Sequence, residues 1–83
     1  MTTTDKIRAF IETNFYVPEE TKLADDTSLL DTGIVDSTGV LEITAFLEAE
    51  YGIEVADGEI VPANMDSIQA IASFVTRKCA KAA

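Results

Sequence analysis

The sequence predicts an all-α fold: a small bundle of three main helices plus one short helix, with a long loop between helices one and two. Apolar residues recur at helical spacing in three separate segments, and no strand pair, repeat or low-complexity linker appears between them. Length points the same way. The 83 residues make one domain, 1–83. A chain of this size buries roughly 60 to 65% of the surface its unfolded form exposes, which leaves one modest core. A deep, walled active site is hard to build on such a core, whereas a helical binding module is easy.

Helix one spans about Thr4 to Asn14, where Ile7, Phe10 and Ile11 share a face and a threonine and Asp5 stand at the start. The following stretch, YVPEETKLADDTSLLDTGIVD, contains Pro18, Gly33 and clustered Asp and Thr. It also carries Leu23, Leu29, Leu30, Ile34 and Val35, apolar residues that would pin a long loop across the bundle. Helix two runs from Ser37 to Tyr51. On a wheel of ~100° per residue, Val40, Ile43, Leu47 and Tyr51 form one stripe with Thr44 beside them. The opposite side, Thr38, Glu42, Ala45, Glu48 and Ala49, is small and acidic, with Leu41 and Phe46 at its flanks. Gly52 is a natural stop, and Gly52 to Val55 reads as a loop. A short helical turn is expected over Asp57 to Val61, ended by Pro62. The last helix starts near Asp66 or Ser67, either of which can cap it. Its stripe is Ile68, Ile71, Ala72 and Val75 with Phe74 alongside, and Arg77, Lys78 and Lys81 suit a helix C-terminal end. Positions 76–83 are expected to form a frayed tail.

Fifteen acidic and 6 basic residues give a formal charge of -9. Such a charge repels nucleic acid and anionic membrane surfaces and steers basic partner surfaces in, so neither nucleic-acid binding nor membrane insertion is expected. No lysine or arginine lies between Lys22 and Arg77, while acidic residues from Asp25 to Asp66 fill that span. The centre of the chain is a one-sign field. Cys79 is the only cysteine and histidine is absent. That excludes an intramolecular disulfide and a cysteine metal cluster, and removes the usual general base and triad partner. The opening MTTTDKIRAF has no signal-peptide apolar run and no stretch reaches membrane-spanning length, so a cytoplasmic monomer is expected.

The acidic run DDTSLLDTGIVD invites a calcium-loop reading, but Leu29 and Leu30 stand where oxygen ligands are needed. No metal site is expected. A P-loop, a dinucleotide fingerprint and a Gly-x-Ser-x-Gly elbow are all missing. Paired carboxylates abound, yet nothing in the sequence marks any of them for a shifted pKa, and surface charge explains them more simply. No catalytic residue is assigned, and the chain is expected not to be an enzyme.

The pair Asp36-Ser37 opens helix two. Taken alone it is a helix cap, since Asp and Ser are both preferred there. The setting also suits one reaction product. A helix N-terminus presents unpaired N–H groups and partial positive charge, so a phosphate esterified to a hydroxyl there is tolerated even in an acidic protein. If Asp36 supplies the cap, Ser37 takes the first helical position and its hydroxyl points outward. A modifying enzyme can bring its own base.

The stretch LLDTGIVDSTGVLEITAFLEAEYGIEV, Leu29 to Val55, resembles the centre of the acyl carrier protein family. The likeness includes Asp31-Thr32-Gly33, the Asp36-Ser37 pair, the acidic second helix with Glu42 and Glu48, the closing aromatic-Gly-Ile-Glu-Val and DSIQAIASFV in the last helix. It covers nearly the whole chain in order. What the resemblance implies is an acyl-carrier-like bundle in which Ser37 carries a covalent 4'-phosphopantetheine arm transferred from coenzyme A. Asp36 would then help orient the modifying enzyme and its metal-bound coenzyme A. Thr38, Glu42, Ala45 and Glu48 become the partner-binding face. The implied partners are a phosphopantetheinyl transferase, an acyl- or aminoacyl-loading ligase or transferase, and a downstream synthase or transferase. The arm would carry acyl or aminoacyl groups as thioesters in fatty-acid, polyketide or other specialised synthesis. Ile43, Leu47, Ile60 and Ile68 are candidates for sheltering the cargo, set against ordinary core packing for each.

Two features depart from a typical fatty-acid carrier. Gly33-Ile-Val-Asp-Ser37 has one more residue before the pair, a spacing similar to D-alanyl carriers and to some discrete carriers of specialised synthesis. Thr38-Gly39 replaces the usual apolar and acidic residues after the serine. Gly39 costs about 0.5 to 1 kcal/mol of helix stability relative to alanine, which would loosen that end. The alternative from a different class is an unmodified acidic helical protein-interaction module.

Overall fold

The computed structural model describes residues 2–82. Helix α1 spans Thr3–Asn14, α2 Ser37–Tyr51, α3 Pro62–Met65 and α4 Ile68–Ala82, with a single 3-10 turn at Asp57–Glu59. There is no strand among the described residues. This is the expected bundle of three long helices and one short one, and the gap between α1 and α2 is the expected long loop. Of the tail expected to fray at 76–83, residues 76–82 lie within α4, and Ala83 is outside the described residues.

Local signals explain where each helix begins and ends. The Asp5 N–H donates to Thr2 Oγ1 (3.1 Å) and the Thr2 N–H to Asp5 Oδ2 (3.4 Å), a reciprocal box that opens α1. Gly52, at φ 65°, closes α2 in the left-handed conformation that glycine adopts without strain. The short helix departs from expectation. Asp57–Glu59 forms only a 3-10 turn, and Pro62 begins α3 instead of ending a helix. The first N–H of a helix has no intrahelical acceptor, so proline loses nothing at that position. Of the two candidate caps of α4, Ser67 is the one used, its Oγ accepting from the Ala70 N–H at 3.0 Å.

Helix α4 is the element the others pack on: α1, α3 and α2 all contact it. Ile68, Ile71, Phe74 and Val75 are buried on it and meet Ile7 and Ile11 of α1 and Val40, Ile43 and Leu47 of α2. Thr44 is buried too, its hydroxyl satisfied by donating to the Val40 carbonyl at 2.9 Å. Lys78 pairs with Glu59 (2.9 Å), Lys6 with Glu50 (3.3 Å), and Arg77 donates to Asn64 Oδ1 (3.0 Å). Lys81 lies outside the described side chains.

The long loop is fixed both by its apolar side chains and by polar ties. Leu23, Leu29, Ile34 and Val35 are buried as expected, and Leu30 is half-buried. Arg8 of α1 reaches the Leu23 carbonyl and pairs with Asp25. The Asp25 carbonyl accepts from the Gln69 N–H (2.9 Å), one of the free donors at the start of α4. Asp66 does most. Its carboxylate accepts from the Ser28 hydroxyl (2.9 and 2.8 Å) and the Leu30 N–H (2.9 Å), and its carbonyl accepts from the Leu29 N–H (2.6 Å).

Asp66→Ala strands the Leu30 N–H and the Ser28 hydroxyl in a half-buried place. It should therefore cost about 2–3 kcal/mol in urea unfolding. Adding Ser28→Ala to that variant should cost much less than it does alone, because the partner is already gone.

Candidate functional site

Asp36 sits at the helix-two cap with extended backbone, and its Oδ1 accepts from the Gly39 N–H at 2.7 Å. That charge-assisted bond satisfies one of the four free N–H groups at the start of α2. Ser37 occupies the first helical position and is exposed. Capping and an outward hydroxyl are therefore divided between two neighbouring residues. No acidic side chain lies in the first turn of α2, so the positive end of its dipole is uncancelled beyond the cap.

Two concavities flank Ser37. One, of about 200 Å³, is apolar and is lined by Leu30, Val40, Ile60, Val61, Pro62 and Met65 with Ser37 at its edge. The loop contributes Leu30, the start of α2 contributes Ser37 and Val40, and the segment that leads into and through α3 contributes the rest. The second, of about 290 Å³, is more polar and is lined by Asn14, Phe15, Gly33, Ile34, Asp36, Thr38, Gly39 and Glu42.

The sequence-derived groups separate accordingly. Thr38, Glu42, Ala45 and Glu48 are all exposed on the outer side of α2. Glu48 also turns back on the chain, its Oε2 accepting from the Val55 N–H at 3.0 Å. Leu41, one helical turn after Ser37, is 58% exposed and adds an apolar element to this acidic face. Of the four candidates for sheltering a cargo, only Ile60 lines the groove at Ser37. Ile43, Leu47 and Ile68 are fully buried in the core. The groove walls that the sequence reading missed are Leu30, Val61, Pro62 and Met65. Their one sequence signal was apolar residues in short segments on either side of helix two, with no period to assign them a face.

Gly39 also differs from expectation. Its helix cost suggested a loosened end, yet it is buried, and a Cβ built there would lie 2.7 Å from Phe15 Cε1. The glycine is where Phe15, at the end of α1, comes close to the first turn of α2.

A family model described as the phosphopantetheine attachment site matches residues 5–75. The chain belongs to that family. Comparison with curated proteins gave no significant match. As a member of the phosphopantetheine-attachment family, the protein is a non-catalytic carrier of covalently bound 4'-phosphopantetheine that interacts with phosphopantetheinyl transferase and with partner enzymes. No helix among the described residues is long and apolar enough to cross a membrane, and no cluster among them suits a metal ion.

Asp36→Ala removes the cap and should lower stability by about 1 kcal/mol in urea unfolding, with faster hydrogen exchange at the Gly39 amide. Asp36→Asn keeps an oxygen acceptor and should stay within about 0.5 kcal/mol of the parent, which separates the cap from the charge.

Proposed function

We propose that the arm is attached to the Ser37 hydroxyl and that the protein shuttles acyl or aminoacyl groups on it, as thioesters, between partner enzymes of fatty-acid, polyketide or other specialised synthesis. The carrying observation is the capping of α2 by Asp36, which leaves Ser37 exposed at the first helical position with its oxygen free of the backbone. A phosphodiester at that position faces the positive end of α2 and open N–H groups. In the transfer the Ser37 oxygen would form a bond to the phosphorus that bears the pantetheine, and the pyrophosphate P–O bond of coenzyme A would break with adenosine 3',5'-bisphosphate leaving. The Ser37 proton would go to a base of the modifying enzyme, while Asp36 helps orient that enzyme with its metal-bound coenzyme A.

The fit of the arm is supported on the groove side as well. The arm's thiol end brings a cargo whose apolar part is best kept from water, and Leu30, Val40, Ile60, Val61 and Met65 offer an apolar trough that begins at Ser37. The acidic face of Thr38, Glu42, Ala45 and Glu48 meets basic patches on the transferase, the loading enzyme and the downstream synthase. Such contacts set encounter rate and specificity more than tight affinity, as a shuttle requires. The protein works as a cytoplasmic monomer in this scheme.

Incubation with coenzyme A and a broad-specificity phosphopantetheinyl transferase should add one arm to the parent protein by intact mass and none to Ser37→Ala. An arm on the alanine variant, or an unmodified parent, would overturn the assignment; the second result would return the chain to the class of unmodified interaction modules. Glu42→Lys should lower kcat/KM for modification roughly 5- to 10-fold at low ionic strength, the gap closing in high salt while helical circular dichroism is unchanged. Glu48→Lys should act in the same direction, with a small stability loss added because the Val55 N–H loses its acceptor.

A further inference from the structure

We propose that Phe15 is a positioning residue for Ser37, acting through Gly39 to hold α2 in the register that Asp36 caps. The proposal rests on Ser37 as the attachment residue. Two start registers compete at this turn, because Asp36 and Ser37 are adjacent and either is a good cap. With Asp36 as cap, Ser37 is the first helical residue and its hydroxyl is outward. With Ser37 as cap, the helix begins one residue later and the same oxygen turns back to accept from a backbone N–H. Only the first register leaves the hydroxyl free for transfer.

The structure holds the first register from outside α2. Phe46 on α2 stacks on Phe10 of α1, with ring centroids 4.2 Å apart and planes at 18°. Phe10 meets Phe15 edge-on at 6.2 Å and 70°. The Phe15 ring then lies over Gly39, where a Cβ would stand 2.7 Å from Phe15 Cε1, 3.0 Å from Val35 Cγ1 and 3.3 Å from Asp36 Oδ1. Three aromatic rings thus run from the middle of α2 across α1 to the first turn of α2. The residue they cover is the one whose N–H donates to Asp36.

Glycine has the widest backbone freedom of any residue, so a first turn built on Gly39 frays unless something covers it. Phe15 is that cover, and it works only because residue 39 has no side chain. The two residues form a matched pair: the ring occupies the space that a side chain at position 39 would take. Phe15 is itself half-buried; it lines the same concavity as Thr38 and Glu42, but no hydrogen bond or ring contact joins it to Ser37, so its effect reaches Ser37 through the backbone of this turn.

The test uses the full chain, coenzyme A and the same transferase, with Phe15→Ala and the double variant Phe15→Ala, Gly39→Ala. Phe15→Ala should lower kcat of the transferase for this substrate roughly 10-fold with KM unchanged, since the docking face is intact but the hydroxyl is misplaced. In the unmodified variant, hydrogen exchange at the Gly39 amide should accelerate more than exchange in the middle of α2 or α4. In the double variant the alanine Cβ no longer meets the Phe15 ring, Val35 and Asp36 need give by only a few tenths of an ångström, and helix preference is restored, so kcat and protection of the residue-39 amide should return part of the way. A parent-like kcat in Phe15→Ala overturns the proposal. So does loss of kcat with no selective change at Gly39, or a double variant no better than the single one. An arm that survives Ser37→Ala instead overturns the attachment reading, while exchange at Gly39, read without any arm, still decides whether Phe15 orders the turn.

Discussion

The half-buried carboxylate of Asp66, at the joint between α3 and α4, is the point on which the arrangement around Ser37 depends. It takes hydrogen bonds from Ser28 and Leu30, and its carbonyl takes one from Leu29. Those bonds set the height of the loop against the bundle. From there the geometry is passed along a short chain: Leu29 accepts from the Val35 N–H (3.1 Å), Val35 is buried, and Asp36 follows at the cap. The same joint places Met65 opposite Leu30, so one carboxylate aligns two walls of the apolar groove and the start of the helix at its edge. A loop this long owes its single conformation to such ties, because loop residues left free retain the entropy that helices surrender.

Charge is distributed to the same end. Lys6, Arg8 and Lys78 are each taken up by an acidic partner, Glu50, Asp25 and Glu59 respectively. None of these pairs involves Thr38, Glu42, Ala45 or Glu48. Among the described residues no ion pair draws on these four positions of the outer face of α2, so a basic surface would meet it without first displacing one of those pairs. Exposed pairs contribute little to stability. Their value here lies in where they leave the remaining charge.

Helix α2 and its two ends were legible in the sequence because their determinants are local: an apolar stripe of period ~3.6, Asp-Ser at the start and glycine after the last turn. The choice of Asp36 over Ser37 as cap was left open until the structure showed it. The pinning of the loop by Leu23, Leu29, Ile34 and Val35 was legible as well, since burying them is the only way to remove that much apolar surface from water. What could not be read depends on residues far apart in the chain. Asp66 and Ser67 looked equivalent as caps of α4, and only the loop arriving at Asp66 makes Ser67 the cap. Pro62 was read as a stop when it is a start, because proline signals a boundary without giving its direction. Ile43, Leu47 and Ile68 looked as suitable for a cargo space as Ile60, because hydrophobicity alone cannot tell a closed core from an open groove. Gly39 looked like a weakness until Phe15 was seen to lie against it.

The Asp66 tie also has a temporal meaning. Ser28 and Asp66 are 38 positions apart, and the Asp25 carbonyl waits for the Gln69 N–H. As the chain is made, α1, the loop and α2 all precede the residues that give the loop its place. Contacts of such long sequence separation form late, after closure of a large segment of chain. The surroundings of Ser37 are thus assembled only once the chain has been made as far as Gln69 and has closed on itself. A modifying enzyme that required this turn in its finished form would act, in effect, as an inspector of folding, accepting only molecules in which Asp25 and Ser28 have met Gln69 and Asp66.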